Sequence, residues 1–357
     1  MADRLDGSDE PADTSPSVAA EMERQLATLT RRAGGFGRFE EIAAKLAEIQ
    51  GRVPPYVERK TAIICAADHG VAAEAVSGIS ASETEELVRA FVDGGAAINI
   101  FAATCDFERI VVDCGLRTPV ASPLVRDLRA GRGTANFRSK PAMSHEQLFR
   151  SVENGRNLAG EVGGEGITLG ADVVALGDMG IGNTTTAAAL AIALGAPEEI
   201  LEHEGPESAE TNGRKRTVIR EAIERHAPFS NPYDALRKVG GFEFATIVGI
   251  ILGLRHRGVA CVLDGLAVTA AAYVAAAIDP HITSFMFAGH RSKLRGHTIL
   301  LDALGLEPIL DFELGLGEGA GAVLGGFHVD LAARLASGMG PIGGAGGLAA
   351  AKNILDE

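Results

Sequence analysis

Five short runs along the chain, residues 61–67, 108–112, 172–176, 258–263 and 283–287, are almost continuous in apolar character. Strands buried on both faces of a parallel sheet read this way, because neither side of the ribbon is left to water. Between the runs, apolar residues recur at helical spacing over 85–91, continuing through Gly94 and Gly95 to Ala103, and then over 184–194, 215–226, 245–254 and 267–277. Strand and helix alternate without a repeat of fixed period, which predicts an α/β fold built on a parallel sheet flanked by helices. Upstream, Leu26, Leu29, Ile42, Leu46 and Ile49 lie at helical spacing, and the break at Gly34-Gly35-Phe36-Gly37 divides that stretch into two helices. Near the other end, the glycine-rich segment 338–344 separates two alanine-rich helical pieces.

The polar residues that close the apolar runs form a second pattern: Asp68-His69-Gly70, Asp113-Cys114-Gly115, Gly177-Asp178-Met179-Gly180, Asp264-Gly265 and Gly289-His290. Asp and Gly end many strands for purely structural reasons. Their repetition at one edge is also what the rim of a ligand site requires, since open parallel sheets bind ligands outside the carboxyl ends of their strands.

Composition narrows the function. Hydrophobic residues make up 46% of the 357, enough for a sizeable core in one large domain with a smaller helical partner. The formal charge is −14 and no Lys/Arg-rich stripe interrupts it, which argues against a nucleic-acid surface. Cys65, Cys105, Cys114 and Cys261 show no Cys-x-x-Cys spacing and sit in or beside apolar runs, so they read as reduced core thiols. Residues 1–18 are acidic and rich in Asp, Ser and Pro, without the basic and apolar regions of a secretory signal, so a disordered tail is expected. The longest near-apolar stretch, 265–278, is shorter than the roughly twenty residues of a membrane span, and a cytoplasmic protein follows.

Three segments carry candidate chemistry. The first is the strand and turn 171–186, where Gly180 and Gly182 let backbone approach a ligand and Asn183 and Thr184 suit a helix start whose free N–H groups attract an anion. An ordinary βα connection would look similar, and no Walker lysine or Gly-x-Gly-x-x-Gly pattern accompanies it. The second is Leu314-Gly315-Leu316-Gly317-Glu318-Gly319, in which a lone carboxylate stands among glycines. Partial burial there would raise its pKa toward the range of a general base, whereas full exposure would leave it an ordinary loop residue. The third, 287–297, gathers His290, His297 and the cations Arg291, Lys293 and Arg295, a set suited to an anionic substrate. Two histidines with six residues between them and no accompanying carboxylate cluster make a poor metal signature. Asp68-His69 reads as a structural hydrogen-bonding pair. A nicotinamide-dependent dehydrogenase is disfavoured, because the glycines at 338–343 follow a helix instead of a strand and Pro341 lies among them.

Eight landmarks in order, Asp68-His69-Gly70-Val71, Gly94-Gly95-Ala96-Ala97-Ile98-Asn99, Gly180-Ile181-Gly182-Asn183-Thr184-Thr185, Gly240-Gly241-Phe242-Glu243, Val262-Leu263-Asp264-Gly265, Gly289-His290-Arg291-Ser292, residues 303–308 and Leu316-Gly317-Glu318-Gly319, resemble the nicotinate-nucleotide:dimethylbenzimidazole phosphoribosyltransferases. The resemblance implies a homodimer with a Rossmann-like large domain and a small helical domain made from the chain ends. On this chain that gives N-terminal helices at 19–58, a catalytic domain at 59–325 and C-terminal helices at 326–357. The implied reaction moves phosphoribose from nicotinate mononucleotide to 5,6-dimethylbenzimidazole or a related aromatic base, with inversion at the anomeric carbon and without metal or organic cofactor. Glu318 takes the place of the catalytic glutamate and Asp178 stands at a strand end where a carboxylate would meet developing positive charge. Gly180, Gly182, Asn183, Thr184, Lys215, Gly317, Gly319, Leu87 and Arg291 are the expected substrate-binding residues. The chain departs from the pattern at Asp178, where a glutamate is usual, at 80–84, where only Thr84 is retained, at 205–209, and at Gly315, where an arginine is usual. A catalytically weak nucleotide-binding or regulatory homologue is the alternative.

Overall fold

The computed structural model describes residues 17–29, 34–164, 170–201 and 208–340. The chain opens with helices α1 (Val18–Leu29) and α2 (Arg38–Gln50), followed by strand β1 (Lys60–Ala67), helices α3 (Glu83–Asp93) and α4 (Ala97–Thr104), and strands β2 (Glu108–Gly115) and β3 (Val125–Asp127). It continues through α5 (His145–Val162), β4 (Val173–Met179), α6 (Asn183–Ala193), α7 (Ala209–His226), α8 (Pro232–Val239) and α9 (Phe242–Leu254). The last part holds β5 (Ala260–Leu263), α10 (Leu266–Ile278), β6 (Met286–Ser292), α11 (Arg295–Leu304), β7 (Pro308–Leu314) and α12 (Ala320–Gly338). Of the expected acidic tail, residues 1–16 lie outside the described residues, as do 205–207 and everything after 340, including the rest of the glycine-rich segment and the helical piece expected beyond it.

All seven strands pair in parallel, in the order β3-β2-β1-β4-β5-β6-β7. Strand alternation feeds both faces of the sheet. Along β1, Ile63, Cys65 and Ala67 enter one core with α5 to α11, while Ala62, Ile64 and Ala66 enter a second core with α1 to α4 and α12. A strand with no wet face explains the unbroken apolar runs in the sequence. The chain direction across the sheet reverses between β1 and β4, and the switch places two carboxyl ends, Asp68-His69 and Asp178, beside one another.

One expectation is corrected. The run 283–287 is not a strand throughout: Pro280–Phe285 forms a 3-10 helix, started by Pro280 and by Asp279 Oδ1 accepting from His281 N, and β6 extends instead through Gly289-His290-Arg291-Ser292. Phe285 buries its side chain from that helical turn, and Met286 and Phe287 bury theirs from the strand, which is why the run reads as apolar. The boundary placed at 325 falls inside α12, a single helix that begins beside the sheet and ends against α2. Glu83–Thr104 is apolar over 22 residues, but it is two helices, α3 and α4, parted at Gly94 with φ 86°.

Candidate active site

The loop after β7 is brought to the sheet by the absence of side chains. A Cβ on Gly177 of β4 would fall 2.6 Å from Gly319 Cα, and one on Gly289 of β6 would fall 2.4 Å from Gly321 O, so the start of α12 lies directly on two strands. Asp264, at the end of β5, fastens it. Its Oδ2 accepts from Gly319 N at 3.0 Å, and its Oδ1 accepts from Gly321 N at 2.8 Å and Ala322 N at 3.2 Å, satisfying the free donors of the first turn. Between these anchors Gly317, Glu318 and Gly319 all adopt left-handed φ, of 73°, 65° and 89°. For glutamate that conformation costs on the order of 1–3 kcal/mol, and such strain is held in place by its surroundings. The Glu318 carboxylate accepts from Ile98 N in the first turn of α4, yet its Oε2 is buried without a hydrogen-bond partner. Asn99 prepares that turn: its Oδ1 accepts from Ala96 N and its Nδ2 donates to Phe91 O.

The turn after β4 forms the facing wall. Asn183 Nδ2 donates to Asp178 Oδ2 at 2.7 Å, so the first residue of α6 fixes the carboxyl at the strand end. Thr84, fully buried in α3, accepts from Ile181 N at 3.1 Å and pins the turn from the other side. This contact accounts for the threonine that survives in 80–84. Lys215 Nζ, on α7, donates to Thr184 Oγ1 at 2.9 Å.

Between the two walls, over the carboxyl ends of β4 to β7, lies a cavity of about 330 Å³. Of the residues singled out in the sequence, Leu87, Asp178, Gly180, Asn183, Thr184, Gly317 and Glu318 line it. Gly182, Gly319, Lys215 and Arg291 are not on its surface. Gly182 faces His69, Gly319 donates to Asp264, and Lys215 stands one hydroxyl back behind Thr184. Arg291 is turned to Thr298 Oγ1 and to Asp311 Oδ2 on β7, both at 3.3 Å, because β6 continues past His290 and carries its side chain toward the sheet edge. Asp264, His290 and Ser292 also line the cavity; of these the sequence marks His290 as part of a set suited to an anion, and Asp264 and Ser292 only as strand-end residues. Beside Gly315, an added Cβ would lie 2.4 Å from Lys293 Cε and 3.0 Å from Nζ, so a lysine fills space that a side chain at 315 would claim.

Three buried carboxyls with different environments converge here. Burial pushes the Asp178 pKa up to about 7, Asn183 opposes this, and Glu243 and Asp264 add to it. Burial also raises Glu318, against the Ile98 N–H. At Asp264 burial acts upward too, but His290 and the N–H groups of Gly319 and Ala322 outweigh it and the pKa is lowered. His297 stays neutral: burial and His290 take its pKa down to about 3, and its Nδ1 accepts from Ser292 N. Asp264 is thus a fixed anion, Asp178 is poised to exchange a proton near neutrality, and Glu318 takes up its proton above the ordinary glutamate range.

A Rossmann-like sheet with an anion-suited turn and a strained glutamate around one cavity defines an enzyme that acts on a phosphorylated small molecule. The family model described as "Phosphoribosyltransferase" matches residues 12–346, and the chain belongs to that family. The nicotinate-nucleotide:dimethylbenzimidazole phosphoribosyltransferase of Thermus thermophilus is 41% identical over 323 residues, covering 90% of this chain and 95% of that one. The enzyme of the same name from Chloroflexus aggregans is 40% identical over 320 residues, 88% of each chain. The crystal structure of the Thermus thermophilus enzyme superposes with a TM-score of 0.85 at 40% identity, over 93% of this chain and 98% of that one.

Proposed function

We propose that the protein transfers phosphoribose from nicotinate mononucleotide to 5,6-dimethylbenzimidazole or a closely related base, forming α-ribazole phosphate and nicotinate. The observation that carries this reading is the buried, unpartnered Oε2 of Glu318, held in a left-handed bend at a cavity facing the 178–184 turn. One lone-pair nitrogen of the benzimidazole attacks the anomeric carbon, and the proton on its other ring nitrogen passes to Glu318. Nicotinate leaves from the opposite face with the electron pair of the glycosidic bond, which inverts β to α. Asp178 in its ionised form faces the positive charge that develops on the ribose. The start of α6, with Asn183 and Thr184 backed by Lys215, holds the phosphate, and Leu87 borders the apolar part of the cavity.

Incubation with both substrates is expected to release nicotinate only when the base is present. Glu318→Gln should lower kcat by about 10²–10⁴-fold with little change in either KM, since the substitution removes a proton acceptor and keeps the shape. The raised Glu318 pKa places the acidic limb of kcat above the ordinary glutamate range, with activity lost as pH falls through it. Undiminished turnover in Glu318→Gln, or nicotinate release without a base, would overturn the reading. A merely regulatory homologue would bind nicotinate mononucleotide without turnover, and it would have no use for a strained, desolvated glutamate.

The chain ends belong, in this reading, to a small helical domain completed by α1, α2 and the distal part of α12, and the protein is a cytoplasmic homodimer. Sedimentation equilibrium giving twice the mass of 37.0 kDa is the expected result.

A further inference from the structure

Behind the wall that faces the substrate lies a pair of ionisable groups that the reaction above does not use. His69, at the end of β1, is 1% exposed and Glu243, in the first turn of α9, is 0% exposed; His69 Nε2 stands 2.5 Å from Glu243 Oε1. The other ring nitrogen, Nδ1, is 3.0 Å from Thr186 Oγ1 in the first turn of α6. Three glycines make room for this contact. A Cβ on Gly241 would fall 2.6 Å from Glu243 Oε2 and 2.7 Å from His69 Cε1, one on Gly180 would fall 3.0 Å from His69 Nε2, and one on Gly182 would fall 3.3 Å from His69 Cβ. The imidazole is therefore wedged against the 180–183 turn from behind.

A carboxylate removed from water requires a counter-charge, and among the described residues His69 is the ionisable group paired with Glu243. The titratable groups facing His69 are all acidic: Glu243 from α9, Asp178 from β4 and Asp68 from its own loop. Burial lowers the His69 pKa, but these three outweigh it and hold the ring protonated above the ordinary imidazole value. An imidazolium carries a proton on each nitrogen, one toward Glu243 and one toward the Thr186 hydroxyl. The pair thereby ties three elements together beneath one turn.

We infer that His69 and Glu243 are positioning residues for the substrate phosphate: their ion pair, seated on Thr186 and on the 180–183 turn, holds the start of α6 in the shape that receives the phosphoryl group of a ribonucleotide. This rests on the transferase reading above. Loss of the charge leaves the contact in place but lets the turn relax, so the cost falls on the phosphorylated substrate and not on the aromatic base.

Glu243→Gln keeps the outline of the side chain and removes its charge. It is expected to raise KM for nicotinate mononucleotide about tenfold, with KM for 5,6-dimethylbenzimidazole unchanged within about twofold. His69→Gln should do the same. Nitrogen-15 NMR on the unaltered full-length protein gives a measurement that no folding defect can obscure. The ring assigned to His69 by its contact with Phe244, 6.1 Å away, should lose its second proton only above the ordinary imidazole range and shift on addition of inorganic phosphate. A His69 ring that titrates at or below the ordinary imidazole value, unchanged KM values in folded variants, or a proportional rise in both KM values would each overturn the inference. If the unaltered protein releases no nicotinate, the transferase reading fails; if it turns over beside variants with unchanged KM, this inference alone fails.

Discussion

Asp178 sits where the neutral acid is favoured, and that has a measurable consequence for stability. In the unfolded chain its carboxyl titrates near 3.8, whereas burial in the fold pushes it up to about 7. Between those values the folded state keeps a proton that the unfolded state has lost, so this residue makes the protein less stable as pH rises from about 4 to about 7. Asp178→Asn preserves an acceptor for Asn183 and removes the charge. It is expected to be more stable than the parent at pH 8, by up to about 4 kcal/mol, with the difference vanishing below pH ~4. Denaturant unfolding at the two pH values reads it directly, and equal stabilities at pH 8 would mean that the fold accepts the carboxylate without cost. A stabilised but less active variant is the usual mark of a group kept for its chemistry.

At the scale of elements, the placement of Glu318 depends on how α12 begins. Asp264 accepts from three backbone N–H groups there, so Asp264→Ala leaves those donors buried and unpaired. A loss of about 3 kcal/mol is expected, together with a fall in kcat larger than the stability change explains, because the 317–319 bend loses its anchor. Thermal unfolding beside steady-state kinetics separates the two, and normal kcat in the folded fraction would free Glu318 of this dependence. The sequence shows part of this arrangement. Glu318 among glycines, the polar ends of β1, β4 and β5, and the turn before α6 are legible because each is local. The contact between Gly177 and Gly319 is not, since it joins residues 142 apart in the chain and consists of missing atoms. Strand β7 escapes for another reason: at the sheet edge it carries Asp311 and Glu313 outward, so it lacks the apolar run that betrays a doubly covered strand. Arg291 misleads because spacing cannot tell which side of β6 a side chain takes, whereas Lys293, one of the three cations of the same segment, is the one that lies against Gly315.

For the molecule as a whole, α12 is the element that joins the sheet to the chain's first helices, packing on β4, β5 and β6 and also on α2 and α4. One buried ion pair crosses this junction. Lys60 Nζ at the start of β1 lies 2.5 Å from Asp330 Oδ2 in the middle of α12, with both side chains 3% exposed, and Arg334 Nε donates to Asp330 Oδ1 at 2.7 Å. Breaking such a pair from one side strands a charge, whereas replacing both members with apolar residues of similar size removes the desolvation cost along with the attraction. Asp330→Leu alone, which leaves the buried Lys60 without its carboxylate, is therefore expected to destabilise the protein by about 3 kcal/mol, and Lys60→Met with Asp330→Leu to recover most of that loss. The pair stands at the amino end of the sheet, away from the cavity at the carboxyl end, so the double variant should keep its kcat. Chemical denaturation of the two single variants and the double variant measures the coupling. A double variant as unstable as either single one would mean that the charges set the register of α12 on the sheet, and its activity would then fall as well, because the first residues of the same helix hold the bend that carries Glu318.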